Sequence, residues 1–284
     1  MEQICVVCLR HARRLVRIGL VVLMLLCCSE DSDAVEVPGL YQAETIVTGR
    51  GETERWRGFK VGLEAVLVKR SGNVECIRSA GVRRLVARAA DFVARYEYAD
   101  RMQGIPIHDE QGTRERPYFL RMTFKPSMVD DALGALSIPL WSHDRPRVLV
   151  WLGIQDAVRF YVLGTETVFG YGQREVLTSV AKERGVPILL PTMDAEEQTV
   201  MTYARVREAD LPRLRLVSQR YGAQALLIGT LVIDENDYWT LTWAIDWQGR
   251  IHRSQLTDVT FDVALRAAIE GSAKIFATVS AERQ

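Results

Sequence analysis

The chain has 284 residues, 48% of them hydrophobic, and its 36 basic residues balance 36 acidic ones. That apolar content is enough to bury a core and argues against an intrinsically disordered chain. The zero net charge argues against a dedicated nucleic-acid or anionic-membrane surface, and the arginines are scattered rather than gathered on one segment.

The N-terminus comes first. Arg10, His11, Arg13, Arg14 and Arg17 precede the apolar run IGLVVLMLLCC, Ile18 to Cys28, and SEDSDAV follows. A basic region, a short apolar region and Ser32-Asp33-Ala34 at the small-residue positions predict a secretory signal over residues 1–34 and a periplasmic mature chain. The apolar run has eleven residues, whereas a spanning helix needs roughly 20. Two alternatives stay open: an uncleaved inner-membrane signal-anchor, and a lipid anchor at Cys28. Cleavage after Ala34 removes four arginines and four acids, so the mature chain stays neutral. It also leaves Cys76 as the one cysteine, so the fold rests on its core rather than on an internal disulfide. Cys76 follows the turn SGN and reads as a half-buried small residue rather than a nucleophile.

LYQAETIVTG, Leu40 to Gly49, reads as a strand. Trp56, Phe59, Leu63, Val66 and Leu67 then recur at helical spacing, and Gly72 supplies the stop. Val82, Leu85, Val86, Ala89 and Val93 predict a second, shorter helix. RYEYADRMQ and PYFLRMTFK alternate as strands around a Gly-, Pro- and charge-rich loop. SMVDDALGALSI reads as a helix opened by Ser127, with Asp130 as its box-like partner. This half is β-α-α-β-β-α.

WSHDRP cannot extend that helix, because Pro146 bars helical angles at the residue before it. RVLVWLGI is a continuous apolar run of strand length, the pattern of a strand covered on both faces. The charged connector therefore marks a boundary, with a domain over residues 35–140, a seam over 141–146 and a second domain over 147–284. Trp141 is expected to pack between the domains and Arg145 to cap or pair across the joint. The second half runs through helix Gln173 to Gly185, strand VPILLP, helix DLPRLRLVSQRYG capped by Asp210, strand AQALLIGTLVID, two further strands and a last helix from Phe261. The order β-α-β-α-β-β-β-α predicts a mixed sheet, parallel first and an antiparallel meander after. The fold class is thus α/β (α+β), in two domains.

The chemistry is sparse. His108, His143 and His252 lack ligand spacing, so no metal site is expected, and no cofactor motif is complete. His143-Asp144 resembles a base with its orienter, but no G-x-S-x-G elbow supplies a nucleophile, and a solvated pair is the plainer reading. FGYGQRE places Gly170 and Gly172 before a helix without the third glycine of a dinucleotide fingerprint or the Lys-Ser/Thr of a P-loop. The acids of DENDY suit a hairpin turn. Trp239, Trp243 and Trp247 fall on one face of one strand, as core under the helices or as an aromatic platform for glycan or an extended peptide.

LYQAETIV, GLEAVLVKRSGN, YEYADR, YFLRMTFKPSMVDDAL and above all PLWSHDRPRVLVWL resemble the DUF2066 family of exported bacterial proteins, over nearly the whole mature chain. The resemblance implies an envelope protein and implies no enzyme activity. YGAQALLIGTLVIDENDYWTLTWAIDW is similar, at fold level, to the domain shared by the TolB amino-terminal region, the curli secretion lipoprotein and the outer-membrane activators of penicillin-binding proteins. Together these lead to a non-enzymatic exported protein that acts as an assembly or protein-binding accessory factor, its partner an envelope protein or a peptidoglycan component. A hydrolase with its site at the seam, and a glycan-binding module on the tryptophan face, are the alternatives.

Overall fold

The computed structural model describes residues 35–105, 108–109, 112–113 and 116–282, which belong to one compact unit. The signal, the alternative anchors and four of the five cysteines lie outside the described residues.

The first half is a three-stranded antiparallel sheet with helices on one face. A short strand β1 (Val35–Glu36) precedes β2 (Gln42–Thr48). The long helix α1 (Glu52–Ser71) follows and ends on Gly72, whose left-handed φ of 67° turns the chain out of the helix. Next come α2 (Ala80–Ala87), the single turn α3 (Ala89–Phe92), β3 (Val93–Asp100), the two-residue strands β4 (His108–Asp109) and β5 (Gly112–Thr113), and β6 (Pro117–Phe124). The sheet order is β2-β6-β3. Leu120, Met122 and Phe124 alternate onto the face that α1 covers. Gly58 and Gly62 let the helix settle there, since a Cβ on either would lie 2.5 Å from Leu120 Cδ2 or 2.6 Å from Met122 Cε. The second predicted helix breaks at Arg88, and Val93 already belongs to β3. Helix α4 (Pro126–Ala135) starts one residue before the expected opening: Pro126, with φ preset, takes the first helical position, and Ser127 lies inside the helix and caps nothing.

The second half is a mixed six-stranded sheet between two helical layers. Strand β7 (Asp144–Arg145) pairs with β1, and β8 (Val148–Gln155) is buried throughout but for its last residue. Strand β9 (Phe160–Val162) folds back along the far end of β8, α5 (Tyr171–Arg184) follows, and β10 (Ile188–Leu189) lies parallel to β8. Three short helices, α6 (Ala195–Val200), α7 (Tyr203–Glu208) and α8 (Leu211–Ser218), lead to β11 (Ala225–Ile233), β12 (Trp239–Trp247), β13 (Arg250–Val259) and α9 (Phe261–Ala281). The order β10-β8-β11-β12-β13 is parallel across its first three strands and antiparallel across the rest, as the sequence pattern predicts. Alternate residues divide the core. Val150, Leu152, Leu227, Leu231 and the tryptophans of β12 meet α5 and α9. Leu149, Trp151, Leu226 and Ile228 meet the short helices on the other face, where Trp151 Nε1 donates to Ser218 Oγ at 2.9 Å. Among the described residues no helix is long and apolar enough to cross a membrane.

Candidate functional site

At the seam, two helix ends converge on one side chain. The C-terminus of α1 reaches Gly72 and that of α5 reaches Gly185, both in the left-handed conformation. Each leaves carbonyls without helical partners. Arg145, with no exposed surface, fills the gap between them. Its Nη2 donates to Lys69 O at 2.8 Å, and its Nη1 to Gly185 O at 2.8 Å and Arg184 O at 3.1 Å. Its Nε donates to Ser142 O at 3.1 Å. The guanidinium lies 3.6 Å from the centre of the Trp141 ring. Among the described residues no carboxylate pairs with it. The negative ends of two helices and an aromatic face hold its charge instead. Burial nonetheless pushes its pKa down to about 9, with neighbouring Arg70 adding to the shift, so it stays charged at neutral pH.

Trp141 is buried between α1 and α9. Its Cε3 is one of the atoms that a Cβ on Gly72 would meet, and its ring lies 6.4 Å from that of Phe276. Its backbone N–H donates to Arg70 O at 2.7 Å, and Arg70 Nη1 returns a bond to Trp141 O at 2.8 Å. Lys69, also buried, donates from Nζ to Gly39 O and Gln42 O, and burial lowers its pKa to about 8.

The structure does not bring His143 and Asp144 together as a dyad. His143 is exposed, and its Nε2 lies 3.5 Å from the Tyr41 hydroxyl. Asp144 pairs through its backbone with Glu36. Asp130, which the sequence reading gave to a helix cap, holds the nearby polar array together. It accepts from Arg70 Nε at 3.0 Å and from the Tyr41 hydroxyl at 2.6 Å. Burial and that carboxylate push the Tyr41 pKa up to about 12. A phenol so held keeps its proton and serves as a brace between β2, α1 and α4.

Trp239, Trp243 and Trp247 are core. Each is under a tenth exposed, and α9 lies over them. Phe261 packs edge-on to Trp239 at 6.1 Å, and Phe276 to Trp247 at 4.9 Å. The aromatic-platform alternative has no surface on this strand. In the Gly170-Tyr171-Gly172 approach Gly170 is closely packed, since a Cβ on it would meet Leu163 Cδ1 at 2.5 Å. Among the described residues no group of three His, Cys, Asp or Glu side chains is placed to hold a metal.

The feature that sequence reasoning missed lies at the other end of β8, where the parallel strands finish. The hairpin from β8 to β9 turns on Asp156, whose carboxylate accepts from Val158 N, Arg159 N and Arg159 Nε. This turn lifts Val158 to 82% exposure and Phe160 to 60%. The loop after β9 leaves Val168 85% and Phe169 44% exposed, and the first residue of α5, Tyr171, is 73% exposed. The two loops are continuous: the Arg159 guanidinium sits 4.5 Å over Phe169, and Tyr161 packs 5.8 Å from it. Arg174 Nη1 ties the second loop to α5 through Gly164 O and Phe169 O. Beside this apolar end, a shallow open cleft between the hairpin tips is lined by Gln155, Asp156, Asp234, Glu235 and Asn236.

Of the comparisons with known proteins, the family match falls on the first half. A family model described as a domain of unknown function, DUF8605, matches residues 34–142. This corrects the expected family: the match is not to DUF2066, and it ends at the seam instead of covering nearly the whole mature chain. Nothing supports the likeness of the second half to the TolB type of domain. The search of curated proteins finds no match. Among solved structures, a crystal structure of an uncharacterized protein matches 49% of this chain and 92% of its own length, at 10% identity and a TM-score of 0.20. Agreement that low carries no argument.

Proposed function

We propose that this chain is a non-enzymatic, exported accessory protein of the cell envelope that binds another protein through the apolar end of its second sheet. One observation carries the reading: five large apolar side chains stand in solvent on two linked loops and the first residues of the strand and helix that follow them, outside the carboxyl ends of the parallel strands, where open α/β sheets place their ligand contacts. Monomeric proteins seldom leave such a patch without use. Export rests on the basic and apolar pattern of residues 10–28 and the small residues before Val35. The seam supports this division of labour, because its polar groups are spent on helix ends and braces.

The test has two readouts. The intact mass of protein from fractionated cells should match Val35 to Gln284 in the soluble envelope fraction. A photoreactive residue at Val168 should give a protein adduct in intact cells, while one at the exposed Arg84 on α2 of the first half gives none. An unprocessed chain overturns export, and no adduct at Val168 overturns binding at this end.

A further inference from the structure

The charge around the apolar end is one-sided. Arg159 is already matched, with its Nη2 2.6 Å from Asp156 Oδ2. Arg174 turns inward to two carbonyls. The acids are not so spent. Glu166 is exposed in the same loop as Val168, and Glu235 and Asp237 are exposed at the tip between β11 and β12; among the described residues none of the three is in an ion pair. Asp234 uses Oδ1 on the backbone N–H groups of Asn236 and Tyr238. On α7, Arg205 turns its guanidinium to Val200 O, and Arg207 sits 5.8 Å over Tyr203. Glu166, in the loop of Val168 and Phe169, and Glu235, across the cleft from Asp156 and Ala157, therefore flank the apolar end without a counter-charge among the described residues.

This border selects among occupants. An acidic segment or an anionic lipid surface meets like charge. A second copy in a two-fold contact sets the same carboxylates against each other, because such an interface pairs a patch with itself. An apolar segment flanked by Lys or Arg satisfies both features at once. The five side chains expose on the order of 500 Å² of apolar surface, the upper end of what monomers leave open and enough to seat one amphipathic helix. Resting on the protein-binding function proposed above, we infer that this end docks a basic amphipathic segment of another protein, its apolar face on Val158, Phe160, Val168, Phe169 and Tyr171 and its cations toward Glu166, Glu235 and Asp237.

Two synthetic peptides of about 18 residues, one Leu/Lys and one Leu/Glu with the same apolar stripe, test the chemistry by fluorescence anisotropy with the purified protein. The Leu/Lys peptide should bind at least about tenfold tighter, and Glu166→Lys with Glu235→Lys should weaken it about tenfold. Val168→Ser with Tyr171→Ser should abolish binding while the melting curve stays put, since both side chains stand in solvent. Equal binding of the two peptides, or binding indifferent to both double variants, overturns the inference. The Val168 cross-link in cells separates it from the reading it rests on. An adduct peptide that is apolar and flanked by Lys or Arg supports both. A neutral or acidic adduct peptide overturns this inference and leaves protein binding intact. An adduct to the chain's own sequence puts a second copy there and overturns both, and so does no adduct at all.

Discussion

Arg145 offers the sharpest test of how the two halves are joined. In Arg145→Ala, Lys69 O and Gly185 O lose their donors in a fully buried setting, and Arg184 O and Ser142 O lose theirs in a partly buried one. An orphaned buried carbonyl costs about 1–3 kcal/mol. The two buried ones give roughly 2–6 kcal/mol, and relief of the guanidinium's desolvation offsets part of that. The expected loss is about 4 kcal/mol, which lowers the Tm of a chain this size by roughly 8–16 °C. Arg145→Met separates the causes. It restores the bulk over Trp141 but supplies no donors, so it should fall almost as far as alanine. Arg145→Lys keeps a charge without the planar fork that reaches both helix ends, and should lie between. The assay is urea and thermal denaturation followed by both far-ultraviolet circular dichroism and tryptophan fluorescence. Arg145→Met within about 0.5 kcal/mol of the parent would refute the capping argument and leave packing on Trp141 as the whole effect.

Trp141→Ala should cost about 3–5 kcal/mol, whereas Trp141→Phe should recover most of it, because the indole N–H is buried without a hydrogen-bond partner and phenylalanine loses only bulk; equal stability of all three in a melting experiment would exclude an interior Trp141. Gly185→Ala should destabilise by about 2–4 kcal/mol in a urea titration, since φ is +65° and the new Cβ would lie 2.5 Å from Arg145 Nη1. Lys69 sets a pH dependence. Its folded pKa of about 8 lies below its ordinary 10.5, so the folded state binds fewer protons above pH 8, and stability should rise with pH from about 8 to 10. Above pH 9 Arg145, held down to about 9, adds to the rise, and from about pH 10 Tyr41, held up to about 12, opposes it. Lys69→Met should flatten the rise between about pH 8 and 9 in denaturation curves. Acrylamide should quench chiefly Trp56, which is 40% exposed while the other five tryptophans are buried, and Trp56→Phe should remove most of the quenchable fluorescence.

The fold was legible where a pattern repeats. The unbroken apolar run of β8 announced a strand covered on both faces, and the alternation of Trp239, Leu241, Trp243, Ile245 and Trp247 announced one buried face. The glycines after α1 and α5 announced two helix ends. Short elements escaped. Helices α6 and α7 have six residues each, under two turns, too few to show a period. Nor does the sequence mark Glu197 of α6 as a buried residue, which accepts from Tyr221 Oη and Met193 N. Strand β9 hid inside a segment that reads as one long loop. The node at Arg145 was less legible still, because three of its acceptors are backbone carbonyls brought from residues 39 to 76 positions away, and a carbonyl leaves no mark on sequence.

The same geometry explains why the apolar end is built on loops yet held in place. Strand β8 enters at the seam, where Arg145 fixes two helix ends, and runs about 25 Å at the usual rise per residue before reaching the hairpin that carries Val158 and Phe160. Along that length it is clamped by β10 and β9 on one side and by β11 on the other. The second loop is pinned to α5 through Arg174, and α5 ends on Arg145. Both exposed loops thus trace back to one side chain by a strand and a helix, the arrangement in which a binding surface gains its shape from a rigid scaffold rather than from its own packing. An Arg145 substitution that leaves the protein folded should then weaken binding at Val168 and Tyr171 in proportion to the stability it removes. Loss of binding without loss of stability would place the control of that surface in the loops themselves.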